Sequence, residues 1–394
     1  MIQKTTLLDA LSTAEVFVDG DWVESKDQDT QGDVRLIQLA DVGDGYYVDK
    51  SNRFLTSDAA KRLKCTFLEP GDVLIARMPD PLGRACIFPG DTKRAVTVVD
   101  VCIIRVDPKR MHAPWLVHCT NSSEMRNQIS EYVTGTTRQR ISRGNLGKIY
   151  IALPPLPEQR RIAAILDQAD ALRAKRREAL AQLDSLTQSI FIEMFGDPAT
   201  NPNKFAVHSL GAICDVRDGT HDSPKYVSSG FPLVTTKNLR DGVIDFTDIN
   251  LISEADYTAI NRRSKVDKGD ILMPMIGTIG SPILVCVEPN FAIKNMALIK
   301  FTNDSPHRQF ILSFLKSAAF EKLVASESKG GTQKFLSLGA IRGLQIPVPP
   351  HSLQRKFASA MESVQLQIAR TLDSLGAMEK LFVSLQHRAF QGKL

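Results

Sequence analysis

The chain has 394 residues, 43% hydrophobic and 24% charged, with a net charge of +5. That composition excludes a disordered or fibrous protein and suits a soluble chain of two or more domains. Its six cysteines (Cys65, Cys86, Cys102, Cys119, Cys214 and Cys286) contain no C-x-x-C pair and divide four to two between the halves, which excludes a symmetric disulfide frame and reads as reduced, mostly buried thiols rather than metal ligands. Met1 to Ser25 has no apolar signal core, and no run approaches the roughly 18 apolar residues of a membrane span, so a cytoplasmic protein without membrane contact is expected.

In chain order, charge is the first signal. Residues 1–60 carry 5 Lys/Arg against 12 Asp/Glu, whereas residues 61–150 carry 15 against 8. A basic face on a near-neutral module is the footprint expected of a phosphate-contacting surface. From Val34 to Val106 short β-rich runs alternate with turns: Leu36 to Leu39, the Asp44-Gly45 turn, Val73 to Ala76, Ala85 to Phe88, and Val96 through Ile104. A helical segment near Trp115–Tyr132 follows, then the Gly135-Thr136-Thr137 loop and a last strand, Ile149-Tyr150-Ile151.

The second half repeats this order. Gly135-Thr136-Thr137-Arg138-Gln139 returns as Gly330-Gly331-Thr332-Gln333-Lys334, and Pro154-Pro155 with Gln159-Arg160 returns as Pro349-Pro350 with Gln354-Arg355, both at an offset of 195 (135 to 330, 154 to 349). Upstream, Leu36-Ile37 and Asp44-Gly45 match Leu233-Val234 and Asp241-Gly242 at 197, and Gly71-Asp72-Val73-Leu74 matches Gly269-Asp270-Ile271-Leu272 at 198. A unit this long is a whole domain with its connector, so the chain is a single duplication of an α+β module, and a pseudo-two-fold ligand such as DNA is the natural partner.

After each Pro-Pro turn the apolar period changes to 3.5. Ile162, Ile165, Ala169, Leu172, Arg176, Ala179, Leu183, Leu186 and Ile190 fit an a/d stripe between Glu158 and Phe195. Phe357, Met361, Val364, Ile368, Thr371, Leu375, Met378, Phe382, Leu385 and Ala389 form its counterpart, stopping near Gly392. Helices of about 35 residues span roughly 50 Å and must bury such a stripe, so the two are expected to pair as an antiparallel coiled coil with the modules at its two ends. The basic cluster Arg173 to Arg177, set among Asp167, Asp170 and Glu178, reads as the charged side of that coil or as a contact for a partner subunit.

Leu153-Pro154-Pro155-Leu156-Pro157-Glu158-Gln159-Arg160-Arg161-Ile162, followed by the long helix ending Met194-Phe195-Gly196-Asp197-Pro198, resembles the central region of type I restriction-modification specificity subunits. Gly71 to Arg77, Gly135 to Gln139 and the ending Leu385 to Gly392 strengthen the resemblance, which covers the whole chain, although Pro349-Pro350-His351-Ser352 lacks the Glu of the first copy. The resemblance implies target-recognition domains at 1–155 and 198–348, alternating with conserved helices at 156–197 and 349–394. It implies a non-catalytic subunit that clamps double-stranded DNA, holds two methyltransferase (modification) subunits and joins restriction/translocase subunits. No cofactor is expected in this chain; S-adenosylmethionine and ATP with Mg belong on the partners. A stand-alone DNA-binding regulator, or an orphan reader without enzyme partners, is the alternative.

Enzyme readings are poorly supplied. Asn201-Pro202-Asn203 lacks the second Pro and the aromatic of an adenine-methyltransferase tetrad, no glycine-rich phosphate loop occurs, and the seven histidines have no metal-ligand spacing. Glu327-Ser328-Lys329 downstream of Asp304 has a nuclease-like pattern, but the first module carries Tyr132-Val133-Thr134 there. Binding chemistry is better represented. Thr137, Arg138, Gln139, Arg140 and Arg143 in one module, and Thr332, Gln333 and Lys334 in the other, lie in or beside the Gly-Thr loops, where Arg and Gln offer bidentate donors to base edges. Arg77 and Arg84 on a Pro-Gly turn, and Lys237, Asn238 and Arg240 after a strand, complete the candidates for DNA contact.

Overall fold

The computed structural model describes residues 3–79, 81–135, 138–240, 242–276, 281–327 and 336–394. It divides into two units, Met1–Arg177 with Asp373–Leu394 and Glu178–Leu372, so each unit takes in part of both long helices. The fold is α+β. Unit 1 contains β1 (Gln3–Thr6), α1 (Leu7–Ala10), β2 (Val16–Asp19), β3 (Val34–Ile37), β4 (Phe54–Leu55), α2 (Ser57–Arg62), β5 (Val73–Ala76), β6 (Ala85–Ile87), β7 (Arg94–Thr97), β8 (Val101–Arg105), α3 (Ala113–Thr120), α4 (Ser123–Glu131), α5 (Arg143–Gly147), β9 (Tyr150–Leu153) and the start of α6 (Leu156–Phe195). Unit 2 contains β10 (Ala206–Ser209), α7 (Leu210–Ile213), β11 (Asp215–Asp218), β12 (Tyr226–Val227), β13 (Phe231–Val234), β14 (Leu239–Arg240), β15 (Val243–Ile244), β16 (Asn250–Ile252), α8 (Glu254–Ser264), β17 (Ile271–Pro274), β18 (Ile283–Leu284), β19 (Ala292–Ile293), β20 (Met296–Lys300), α9 (Arg308–Leu315), α10 (Ala318–Glu327), α11 (Leu338–Gly343), β21 (Gln345–Val348) and the start of α12 (His351–Phe390).

The two units share one topology. A four-stranded antiparallel sheet runs β2-β8-β5-β6 in unit 1 and β11-β20-β17-β18 in unit 2. Beside it lies a small mixed sheet whose parallel pair is β3–β7 or β13–β19, and the unit closes with the antiparallel pair β1–β9 or β10–β21. The strand that follows each repeated Gly-Asp motif, β5 or β17, is buried on both faces. Val73 and Ile75 point into one core and Leu74 and Ala76 into another, as alternation along a strand requires. Ile271 and Met273 against Leu272 do the same in unit 2. The helical segments expected near Trp115 and Arg308 are each two helices, broken where Ser122 caps α4 and where Ser317 Oγ bonds back to Phe314 O.

Several repeated residues are staples of this scaffold. The Asp72 carboxylate, almost fully buried, accepts from the Glu69 amide at 2.8 Å and from Arg105 Nε at 2.8 Å; Asp270 accepts from the Asp267 amide at 2.7 Å and from Lys300 Nζ at 2.6 Å. Gln159 Oε1 accepts from the His112 amide at 2.9 Å while Nε2 donates to Pro154 O at 2.9 Å; Gln354 accepts from the His307 amide at 2.6 Å and donates to Pro349 O at 2.7 Å. The Pro-Pro-x-x-x-Gln motif thus pins the turn before each long helix to the start of α3 or α9.

Both long helices form, and within unit 1 they run antiparallel. Arg161 near the start of α6 donates to Leu394 O at 2.8 Å, and Arg177, four turns on, pairs with Glu379 at 2.5 Å. All ten stripe positions predicted on α12 are buried or half-buried. On α6 the seam is displaced. Leu172 and Leu186 are 47% and 44% exposed, and Leu166, Arg173, Leu180 and Thr187 turn inward instead, so the spacing from Ile162 runs 4-3 rather than 3-4. Arg173 tolerates the inner position because its guanidinium lies 4.2 Å from the Phe382 ring and pairs with Asp170 at 2.8 Å. In unit 2 the ends of the helices meet where the rings of Phe191 and Phe195 pack with both Phe357 and Phe310, at 5.1–5.7 Å between centroids.

Candidate nucleic-acid interface

Strand polarity collects the unit 1 loops at one end of the main sheet. The ends of β2 and β5 and the starts of β6 and β8 lie there, and the Gly-Thr loop is tied to them: the Ile141 amide donates to Arg77 O at 3.1 Å, and the Arg77 amide donates to Asp100 O at 2.9 Å. In unit 2 the Leu336 amide donates to Met275 O at 2.9 Å, the same tether. The unit 1 loop is a hairpin, closed where Thr134 and Arg140 exchange backbone bonds of 3.0 and 2.9 Å. Gly135 turns it with φ +91°, and a Cβ there would stand 2.5 Å from Arg138 O, so only glycine fits.

Arg138 and Gln139, at the tip, are exposed. Arg140 is half-buried and pairs with Asp100 at 3.0 Å. Arg143 donates to Phe17 O and lies 3.7 Å from Asp19. Its bond to the β2 carbonyl has a twin in unit 2, where Arg342 donates to Val216 O at 2.7 Å from a different position in its helix. Lys237 and Arg240 are exposed beside Asp248 (3.6 Å) and Asp245 (3.5 Å). Thr137, Thr332, Gln333 and Lys334 lie outside the described residues, as do Ser328 and Lys329 of the nuclease-like pattern.

Three candidates are folded inward and do not face solvent. Arg77 is 3% exposed, with its guanidinium on Ile141 O, Val99 O and, at 3.2 Å, Asp19. Arg84 donates to the carbonyls of Val42 (2.6 Å), Leu39 (2.8 Å), Pro81 (3.1 Å) and Met78 (3.2 Å). Asn238 is buried, accepting from the Thr235 amide at 3.0 Å and donating to Asp248 O at 3.1 Å. A donor that surrendered these carbonyls to reach a base would leave them unpaired in the interior, so the three side chains position the loops.

The acids that hold this end went unnoticed in the sequence. Asp19 lies against Arg77 and Arg143; Asp218, its equivalent at offset 199, pairs with Arg263 and with His221 Nε2 at 3.0 Å. Burial opposes the Asp218 charge, but the Arg263 and His221 contacts outweigh it and hold the carboxyl below its usual range. Nearby, burial pushes the Asp21 carboxyl up to about 6, against the opposing bonds from the Thr66 amide and Cys65. Burial likewise pushes the thiols of Cys65, Cys86, Cys102, Cys119 and Cys214 up to about 12, so they are unreactive. Among the described residues no group of three or more His, Cys, Asp or Glu could hold a metal ion, and no helix is long and apolar enough to cross a membrane.

Two α+β units with matching scaffolds, each closing a loop cluster at one sheet end and each joined to the same two long helices, define a duplicated recognition architecture. The chain belongs to the type I restriction modification DNA specificity domain family, whose model matches residues 14–182 and again 202–377. It is 23% identical over 320 residues to the EcoKI specificity subunit of Escherichia coli, covering 74% of this chain and 68% of that one. It is 21% identical over 387 residues to the MjaIX specificity subunit of Methanocaldococcus jannaschii, covering 92% and 87%. Its fold matches a chain solved in work on complex assembly and conformational transition of the type I R-M system (TM-score 0.57, 19% identity, covering 100% and 98%). It also matches the crystal structure of an S subunit from M. genitalium (TM-score 0.53, 15% identity, covering 98% and 96%).

Proposed function

We propose that this chain is the non-catalytic, sequence-specific DNA-binding subunit of a cytoplasmic type I restriction-modification complex, each unit reading one half of a bipartite, asymmetric site in double-stranded DNA. One observation carries the reading: several buried hydrogen-bonding staples recur in both units, while side chains exposed on the loops differ. Asp72 and Asp270, or Gln159 and Gln354, do the same work in both units, whereas exposed Lys237 and Arg240 stand where unit 1 has Ala40 and Gly43. A fold duplicated for stability alone gains nothing from such a division; two different half-sites require it.

The contact set narrows to the side chains that reach solvent: Arg138, Gln139, Arg140, Arg143, Lys237 and Arg240, with Thr137, Thr332, Gln333 and Lys334 kept as loop candidates. Leu172 and Leu186 stand exposed on α6 at 47% and 44%, which supports the long helices as the seat of two methyltransferase subunits. Restriction/translocase subunits would join that complex, and S-adenosylmethionine and ATP with Mg would bind on the partners. Exchanging residues 1–150 for the first recognition domain of another specificity subunit, then mapping methylated sites genome-wide, tests the reading. One half of the motif should change while the other half and the spacer persist; simultaneous change of both halves would refute independent reading.

A further inference from the structure

The hairpin after β3 in unit 1 and after β13 in unit 2 is built the same way twice. In unit 1 Val42 bridges Tyr47 and the Gly43 amide donates to Tyr46 O at 3.0 Å; in unit 2 β14 pairs with β15. Gly45 and Gly242 turn the two hairpins at φ +93° and +78°, a region other residues enter only with strain. The next residue is large, apolar and in solvent: Tyr46 is 63% exposed and Val243 62%. The one after, Tyr47 or Ile244, packs on the core, so each strand sends one side chain in and one out.

The tips are firmly held. Asp41, fully buried, accepts from the amides of Gln38 (2.7 Å), Lys50 (2.7 Å) and Ser51 (2.6 Å). Asn238, its equivalent at offset 197, ties Thr235 to Asp245 O and Asp248 O. In unit 1 the Gly45 amide also donates to Ala85 O at 2.9 Å, and Arg126 pairs with Asp44 at 2.5 Å. Ordering a hairpin this thoroughly to present an apolar side chain to water gains nothing for the fold. The arrangement occurs at equivalent positions with unlike residues, so exposure is retained while identity changes. Lys50 flanks one tip, with Asp44 and Asp49; Lys237 and Arg240 flank the other, with Asp245 and Asp248. The acids beside the tips are each paired with a cation, so what the tips offer is the apolar side chain itself, and in the DNA-reading function above the base edges of duplex DNA are the surface that takes it.

We propose that Tyr46 and Val243 are apolar specificity residues, each pressed against the bases of the half-site its unit reads. This rests on the DNA-reading function above and extends it to residues that carry no charge. The test uses the full chain and a duplex selected by the wild-type protein from a randomised pool. Tyr46→Ala should weaken binding to that duplex by about ten- to a hundredfold and relax base preference in one half only. Val243→Ala should relax the other half, with about a fourfold loss for each methyl group withdrawn from contact. Tyr46→Phe should retain most of the affinity, and none of the three should alter the salt dependence, because no charge is lost. Far-UV circular dichroism should be unchanged in each.

Affinity and preference within twofold of wild type for both alanine variants would overturn the proposal. So would loss of co-purifying methyltransferase subunit at unchanged duplex affinity, which would turn the tips toward protein. Failure of the wild-type chain to select any sequence would instead remove the DNA-reading function itself, and the proposal with it.

Discussion

Gln159→Ala tests whether the repeated motif before the long helices is a structural clamp. The side chain is 1% exposed and makes three hydrogen bonds: from the His112 amide at 2.9 Å, to Pro154 O at 2.9 Å and to Arg110 O at 3.1 Å. Alanine leaves one donor and two acceptors without partners where water is excluded, at about 1–3 kcal/mol for each group that stays unpaired. Partial relaxation of the Arg110 contact, the longest of the three, brings the expected loss to about 3–5 kcal/mol, a large share of a typical domain stability of about 5–15 kcal/mol. The chain has two tryptophans, Trp22 and Trp115, both in unit 1, and Trp115 is fully buried in α3 close to His112. Tryptophan fluorescence during urea titration therefore reads the unit that holds the glutamine. Gln159→Glu keeps an acceptor for His112 but sets a carboxylate against two carbonyls, so it should be as damaging at neutral pH and partly relieved by acid, when the protonated group can donate once. A loss under about 0.5 kcal/mol for the alanine variant, within the range of ordinary surface substitutions, would refute the clamp.

Two further outcomes follow from the loop end of unit 1. Asp21 titrates at about 6 in the fold against 3.8 as its ordinary value, so the folded state holds its proton more tightly and loses stability as pH rises from about 4 through 6. Asp21→Asn should therefore match wild type near pH 4 and exceed it at pH 7 by roughly 1–2 kcal/mol, the full shift being discounted because the group is half exposed; an equal difference at both pH values would contradict this. Arg138→Ala and Arg140→Ala should each weaken cognate binding by about 1–3 kcal/mol and relax one half-site. Equal losses on cognate and scrambled duplexes, with the salt slope reduced by about one, would assign them to phosphates.

The duplication, the strand-rich modules and the two long helices were legible because each is written as a period: an offset near 195, alternation by two, and a 3.5-residue stripe. Side-chain direction was not. On α6 the 3-4 and 4-3 readings differ by one residue, and the more apolar reading lost because Arg173 can lay its stem and guanidinium along Phe382 while Leu172 faces out. At the loop end, arginines look alike in sequence whether they face solvent, as Arg138 does, or hold carbonyls, as Arg77 and Arg84 do. One support could have been read: Asp41 and Asn238 occupy equivalent positions, and an acid that exchanges with an amide is serving as a hydrogen-bonding cap rather than as a charge. Asp19 and Asp218 escaped because the offset has drifted to 199 by β2 and β11, near the start of each module.

That drift records where the scaffold tolerates change. The offset is 195 from His112 and His307 through the long helices, where the glutamine clamps fix the geometry, but it varies across the earlier strands and loops, being 203 at β1 and β10, 199 at β2 and β11, and 197 at β3 and β13. Insertions accumulate in segments whose backbone is satisfied locally, since a cap such as Asp41 or Asn238 rebuilds the base of a loop whatever its tip carries. The Arg143 and Arg342 pair carries the same logic into the tethers: the β2 and β11 carbonyls are both taken by arginine, but from different positions in their helices. What is maintained is therefore the occupied carbonyl, not the sequence position that occupies it. A loop end kept in place by such replaceable tethers can exchange its exposed residues without unfolding the sheet beneath, and the proposed reading of two unlike half-sites would depend on that separation of support from contact.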